Sequence, residues 1–119
     1  MFARFLEDCD DVVSYAKNYL AVHFKLDYVN ADGDISNYYP DFLVKLPDKR
    51  LVVVETKGQE DLEVPLKMQR LRQWCEDLNR VQADVAYDFV YVDQESFERY
   101  QPASFRQLVE GFREYQETV

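Results

Sequence analysis

Three charged residues stand where an apolar stretch of sequence has no structural need for them. Asp41 follows Pro40 within residues 38–46, a run rich in aromatic and aliphatic side chains. Glu55 and Lys57 flank Thr56 at the end of a second apolar run, residues 51–57. Between the runs lies Pro47-Asp48-Lys49-Arg50, whose Pro and Asp suit a tight turn. The two runs therefore read as arms of a β-hairpin. Residues two apart on a strand share a face, so Glu55 and Lys57 project together, and the hairpin returns Asp41 beside them. Two carboxylates offer hard oxygen ligands to a divalent cation. A compact ammonium beside them can stabilise developing negative charge or help deprotonate water. The plainer reading of the same residues is an ion-pair network at the end of a sheet, of a kind that contributes little.

The rest of the chain must position that hairpin. Residues 2–18 read as an amphipathic helix, with Phe2, Phe5, Leu6, Cys9, Val12, Val13 and Ala16 at helical spacing and Asn18 to close it. Residues 22–29 alternate as a strand, with His23 on its polar side. Residues 30–37 form a polar loop; Asp32 and Asp34 open it like a calcium loop, but the later ligands are missing, so a solvated connection is expected. A charged turn follows the hairpin over residues 58–63. Residues 64–82 give the clearest helix, with Val64, Met68, Leu71, Cys75 and Leu78 in a stripe that Trp74 and Val81 widen, and Pro65 in its first turn. It is also the one basic element: Lys67, Arg70, Arg72 and Arg80 outnumber Glu76 and Asp77. Residues 85–92 predict a strand apolar on both faces. Residues 93–100 are a turn or short helical piece, and a last helix opens at Pro102 with Phe105, Leu108, Val109, Phe112 and Tyr115 in its stripe. The predicted order is helix, three strands, helix, strand, helix: an α/β fold with a mixed four-stranded sheet flanked by helices and an extra C-terminal helix.

Composition narrows the class. A chain of 119 residues is expected to be one domain, residues 1–119, with a sizeable core. The hydrophobic fraction is 47%, with eight Phe, nine Tyr and one Trp, which excludes a disordered segment. No apolar run approaches a membrane span, and Arg4, Glu7 and Asp8 interrupt any signal-like start. Cys9 and Cys75 read as reduced core thiols of a cytoplasmic protein. A single histidine excludes a His-rich metal cluster. The helical pattern begins almost at Met1 with no cap before it, so the chain is expected to be part of a longer one. Net charge is −9, which disfavours autonomous binding to a polyanion and requires any DNA contact to be local.

Pro40-Asp41, thirteen residues, then Glu55-Thr56-Lys57 resembles the PD-(D/E)XK signature of restriction-endonuclease-like nucleases. The predicted element order is similar to that superfamily's αβββαβ core. The wording around it, Lys57-Gly58-Gln59 and the basic helix with Trp74, is similar to the C-terminal nuclease domain of type III restriction enzyme restriction subunits. That resemblance covers nearly the whole chain. It implies a Mg²⁺-dependent endodeoxyribonuclease, with Mn²⁺ as a substitute. Asp41 and Glu55 would be metal ligands, the Thr56 carbonyl a third, and Lys57 the catalytic cation. A further acid from the first helix is implied; Glu7 is the candidate here, or its equivalent precedes Met1. Gln59 would touch phosphate or water, and Lys67, Arg70 and Arg72 would contact the DNA backbone. An ATP-driven motor and a recognition subunit would lie outside this chain. The competing class is a domain of the same fold that has lost catalysis and serves protein assembly.

Overall fold

The computed structural model describes residues 2–18, 24–57 and 62–113, and for Lys57 its backbone alone. Helix α1 (Phe2–Asp8) leads into strand β1 (Ser14–Lys17), and β2 (Leu26–Val29) and β3 (Ile35–Tyr38) follow. The central hairpin is β4 (Phe42–Leu46) and β5 (Arg50–Lys57). Helix α2 (Glu63–Val81) crosses to β6 (Ala86–Asp93), and α3 (Gln94–Tyr100) and α4 (Phe105–Gly111) complete the described chain. The main sheet has the order β1-β4-β5-β6; β5 runs antiparallel to β4 and parallel to β6. The expected mixed four-stranded sheet with flanking helices is present, and β2 and β3 form a separate antiparallel pair.

Strand β5 is central because both of its faces are apolar. Val52, Val53 and Val54 are fully buried. Val52 and Val54, with Phe42, Val44, Leu46, Val90 and Val92, pack against Leu6 of α1 and Phe105, Leu108 and Val109 of α4. Val53, with Phe89 and Tyr91, packs against Val64, Met68, Leu71 and Cys75 of α2 and against Leu26, Tyr28 and Tyr38 of the β2–β3 hairpin. The stripe read from sequence is the buried face of α2, except that Val81 at its end is 75% exposed. The β4–β5 turn places Asp48 and Lys49 in the left-handed region, with φ of 55° and 57°. Asp tolerates that conformation through its short polar side chain; Lys does not share the advantage.

The first sheet strand is the main departure from the sequence reading. The helix expected over residues 2–18 ends at Asp8, and residues 14–17 are extended, so the edge strand of the αβββαβ core lies inside the stretch read as helical. The acidic run Asp8-Cys9-Asp10-Asp11 turns the chain there, and Val13 donates its N–H to the Lys45 carbonyl at 2.9 Å, opening the ladder to β4. The strand expected over residues 22–29 survives as β2, but it pairs with β3, within the region read as a loop. That loop is closed by Asn30: its Oδ1 accepts the N–H groups of Asp32 and Asp34, each at 3.0 Å, and Gly33 takes a φ of 87°. No calcium geometry is needed to explain it. His23, residues 58–61 and Tyr115 lie outside the described residues.

The β2–β3 hairpin is pinned to α2 by polar contacts as well as by its apolar face. Tyr28 donates to Glu63 Oε1 at 2.7 Å, the Ala31 N–H to Glu63 Oε2 at 3.1 Å, and Arg70 Nε to the Asp27 carbonyl at 2.9 Å.

Candidate active site

The backbone of the candidate site is set by one corner. Chain leaving β3 at Tyr38 reaches β4 at Phe42 through Tyr39, Pro40 and Asp41. Asn18, just after β1, holds this corner from below. Its N–H donates to the Asp41 carbonyl at 2.7 Å, and its side-chain Nδ2 donates to the carbonyls of Pro40 and Phe24, both at 2.8 Å. The residue that the sequence suggested as a helix terminator is thus a buried clamp.

Asp41 is fastened to the neighbouring strand. Its Oδ2 accepts the Thr56 N–H at 3.0 Å and the Thr56 hydroxyl at 2.7 Å. Its Oδ1 accepts nothing among the described residues. Because Phe42 pairs with Val54, Asp41 sits one step beyond the ladder, alongside Glu55. Glu55 is 5% exposed, one of two buried polar side chains among the described residues. Its Oε1 accepts the hydroxyl of Tyr38 at 3.1 Å. The Tyr38 hydroxyl is pushed far above its ordinary pKa, chiefly by burial, then by the charge and hydrogen bond of Glu55, and then by the charge of Asp41. It therefore remains a donor at all working pH, and both carboxylates act on it.

Lys67 of α2 stands over the face of the same tyrosine, its Nζ 5.6 Å from the ring centroid. The ring thus meets a cation on its face and a carboxylate at its hydroxyl. Nothing in the sequence marked Tyr38 as part of the site, because its partner Glu55 lies 17 positions away on another strand.

Among the other residues singled out from sequence, the structure separates several. Glu7 is exposed and accepts a hydrogen bond from Tyr15 at 3.0 Å. It does not join the pair: among the described residues no three His, Cys, Asp or Glu side chains converge as a metal group. Lys67 and Arg70 face the β2–β3 hairpin, whereas Arg72 pairs with Glu76 at 3.1 Å and lines a hollow with Cys75, Asn79, Tyr87 and Asp88. Two residues of helix separate Arg70 from Arg72, a rotation of about 200°, so the three cations do not form one patch. The Lys57 side chain and Gln59 lie outside the described residues. Backbone pairing places Lys57 opposite Asp93 at the end of β5.

A family model described as TnsA-like endonuclease N terminal matches residues 9–98. The chain belongs to that family. The TnsA-like endonuclease N-terminal domains are part of the restriction-endonuclease-like, PD-(D/E)XK superfamily, and the family supports a nuclease domain. The matched span runs from the end of α1 into α3 and contains Asp41, Glu55 and Lys57. No curated protein and no solved structure matches the chain. No described helix is long and apolar enough to cross a membrane.

Proposed function

We propose that the chain is the catalytic domain of a Mg²⁺-dependent DNA endonuclease that hydrolyses phosphodiester bonds within a larger assembly. The observation that carries this reading is the pair of restrained carboxylates at one end of the central strands, Glu55 buried on Tyr38 and Asp41 held twice by Thr56. Burying a carboxylate is costly unless something compensates it, and carboxylates kept under that cost more often serve function than packing. The donors fit Mg²⁺, which takes hard oxygen ligands, commonly one or two carboxylates, and retains several waters. A pair is therefore enough.

In this reading Asp41 and Glu55 hold the cation, and the Thr56 carbonyl is the third protein ligand implied by the superfamily resemblance. When bound, the cation neutralises phosphate charge and makes water acidic enough to attack. Thr56 keeps Asp41 in one rotamer through its N–H and hydroxyl. The Lys57 ammonium stabilises charge developing on the phosphate, and Gln59, just beyond the strand, contacts phosphate or water. Lys67, which stands over the Tyr38 ring, offers a contact to the DNA backbone, and Arg70 and Arg72 offer others on different faces of α2. The finer placement is the cleavage module of a cytoplasmic type III restriction enzyme, with its motor and recognition subunit outside this chain. That placement rests on the wording of residues 57–59 and the basic helix; the family match supports the nuclease without choosing its assembly.

One observation favours a second reading. A net charge of −9 repels DNA and suits a domain of the same fold that has lost catalysis and docks proteins. Cleavage of supercoiled plasmid by the full-length protein with its natural partners and Mg²⁺ separates the two. Asp41→Asn and Glu55→Gln should each lower the rate by roughly two orders of magnitude or more, the scale of a lost electrostatic stabiliser. Equal cleavage by wild type and both variants would overturn the nuclease reading of this site.

A further inference from the structure

We propose that Tyr38, delivered by the β2–β3 hairpin, is a positioning residue that fixes the Glu55 carboxylate for the cation; this rests on the metal-dependent reading above. The geometry is specific. Tyr38 is 3% exposed and donates to Glu55 Oε1 at 3.1 Å. A carboxylate near the end of a strand can turn about its terminal bonds unless its oxygens are held. A phenol donor does so without bringing a charge of its own. Carboxylate ligands of metals are commonly held in this way by outer hydrogen bonds, and losing such a partner weakens binding.

The hairpin is built to deliver this hydroxyl. Tyr38 pairs with Leu26 at the open end of the β2–β3 ladder. Its ring packs edge-on to Tyr28 at 6.5 Å, and Tyr28 is in turn bonded to Glu63 on α2. The four residues 38–41 then carry both the group that orients Glu55 and the second carboxylate, Asp41. That same segment is fixed by Asn18 at Pro40 and Asp41. Docking of the hairpin on α2 therefore sets both halves of the site at once, and Lys67 over the Tyr38 ring is registered with them.

The variant Tyr38→Phe removes the hydroxyl and keeps the ring for Lys67 and Tyr28. The measurement is calorimetric titration of the full chain with Mn²⁺, alongside thermal unfolding in chelator. Tyr38→Phe should weaken Mn²⁺ binding by about tenfold or more. The control Tyr100→Phe loses a hydroxyl that donates to the Gln107 carbonyl at 3.2 Å, on α3 and outside the site, and should leave the affinity within about twofold. In the wild type, the Tyr38 ring resonances should shift on Mg²⁺ addition with the calorimetric midpoint, a readout that needs no variant. An unchanged Mn²⁺ affinity in Tyr38→Phe, equal weakening in both variants, or Tyr38 resonances indifferent to Mg²⁺ would each overturn the positioning role while leaving the metal site standing. A wild type that takes up no Mn²⁺ would overturn both readings together.

Discussion

Thr56→Val isolates one bond of the site. The substitution keeps the β-branched shape suited to a strand and keeps the backbone N–H that bonds Asp41 at 3.0 Å. It removes the hydroxyl that donates to Asp41 Oδ2 at 2.7 Å. A hydrogen bond to a charged acceptor contributes about 1.5–3 kcal/mol; Thr56 and Asp41 are both half-buried, so water recovers part of it and the lower end applies. Against this, a methyl in place of the half-buried hydroxyl is itself favourably removed from water, which returns up to about 0.8 kcal/mol. The net loss is about 1 kcal/mol. With an unfolding entropy of about 0.25 kcal/mol/K for a chain of this length, the expected drop in Tm is about 4 °C. The assay is thermal unfolding followed by circular dichroism with chelator present, so that no cation contributes. A double-mutant cycle with Asp41→Ala, which removes the acceptor, should show a coupling of about 1 kcal/mol. A Tm for Thr56→Val at or above wild type, with no coupling to Asp41, would falsify the claim that this hydroxyl restrains the carboxylate.

Three further outcomes are expected. Cys75 has its pKa pushed up to about 12, chiefly by burial and then by the charges of Asp88 and Glu76, and Cys9 to about 11, chiefly by burial. Both thiols are raised above their unfolded values, so they stay protonated near pH 9 and their contribution to stability is lost as pH climbs through about 11–12; alkylation by iodoacetamide at pH 8 should be slow in the native chain and fast in denaturant. Lys57→Ala should reduce plasmid cleavage by the assembled enzyme by roughly two to three orders of magnitude with little change in Mn²⁺ affinity, and Lys57→Arg should not restore it, since a planar fork does not replace a compact ammonium. Unchanged cleavage in Lys57→Ala would assign that side chain to a structural ion pair. The isolated chain should bind duplex DNA weakly at physiological salt, with affinity falling steeply as salt rises; sub-micromolar binding in a filter or anisotropy assay would show that the charge of −9 is the wrong guide.

What the sequence made legible was local. The β4–β5 hairpin, α2 and β6 were readable because alternation and three-four spacing are set by neighbours a few residues apart, and those elements lie within a residue or two of their expected bounds except for the head of β4, where Tyr38 belongs to β3. The placement of Asp41 alongside Glu55 was readable because a hairpin returns its second arm beside its first. Strand β1 was not. Val12, Val13 and Ala16 continue the helical spacing of α1, and the partner that makes residues 14–17 extended is β4, about thirty positions away. A four-residue edge strand with one half-buried side chain leaves almost no periodic trace. The separate β2–β3 pair was hidden for a similar reason, since its strands are anchored by Glu63 and Arg70 on a helix far along the chain. Tyr38 looked like one more aromatic of an apolar arm until the fold placed its hydroxyl against Glu55. That Lys67, Arg70 and Arg72 do not share one face was not legible from their count alone, because Arg72 turns toward Glu76 while Lys67 and Arg70 face the β2–β3 hairpin.

The central claim is that Asp41 and Glu55 together hold a hard divalent cation. Anomalous diffraction from crystals of the chain grown with Mn²⁺ tests it most directly. The account predicts one peak bonded to a carboxylate oxygen of each residue, at distances close to the about 2.0–2.1 Å of Mg²⁺ sites, and no peak at that position in Asp41→Ala. A saturated crystal with its Mn²⁺ peak elsewhere, or with Asp41 and Glu55 directed away from any shared ion, would contradict it.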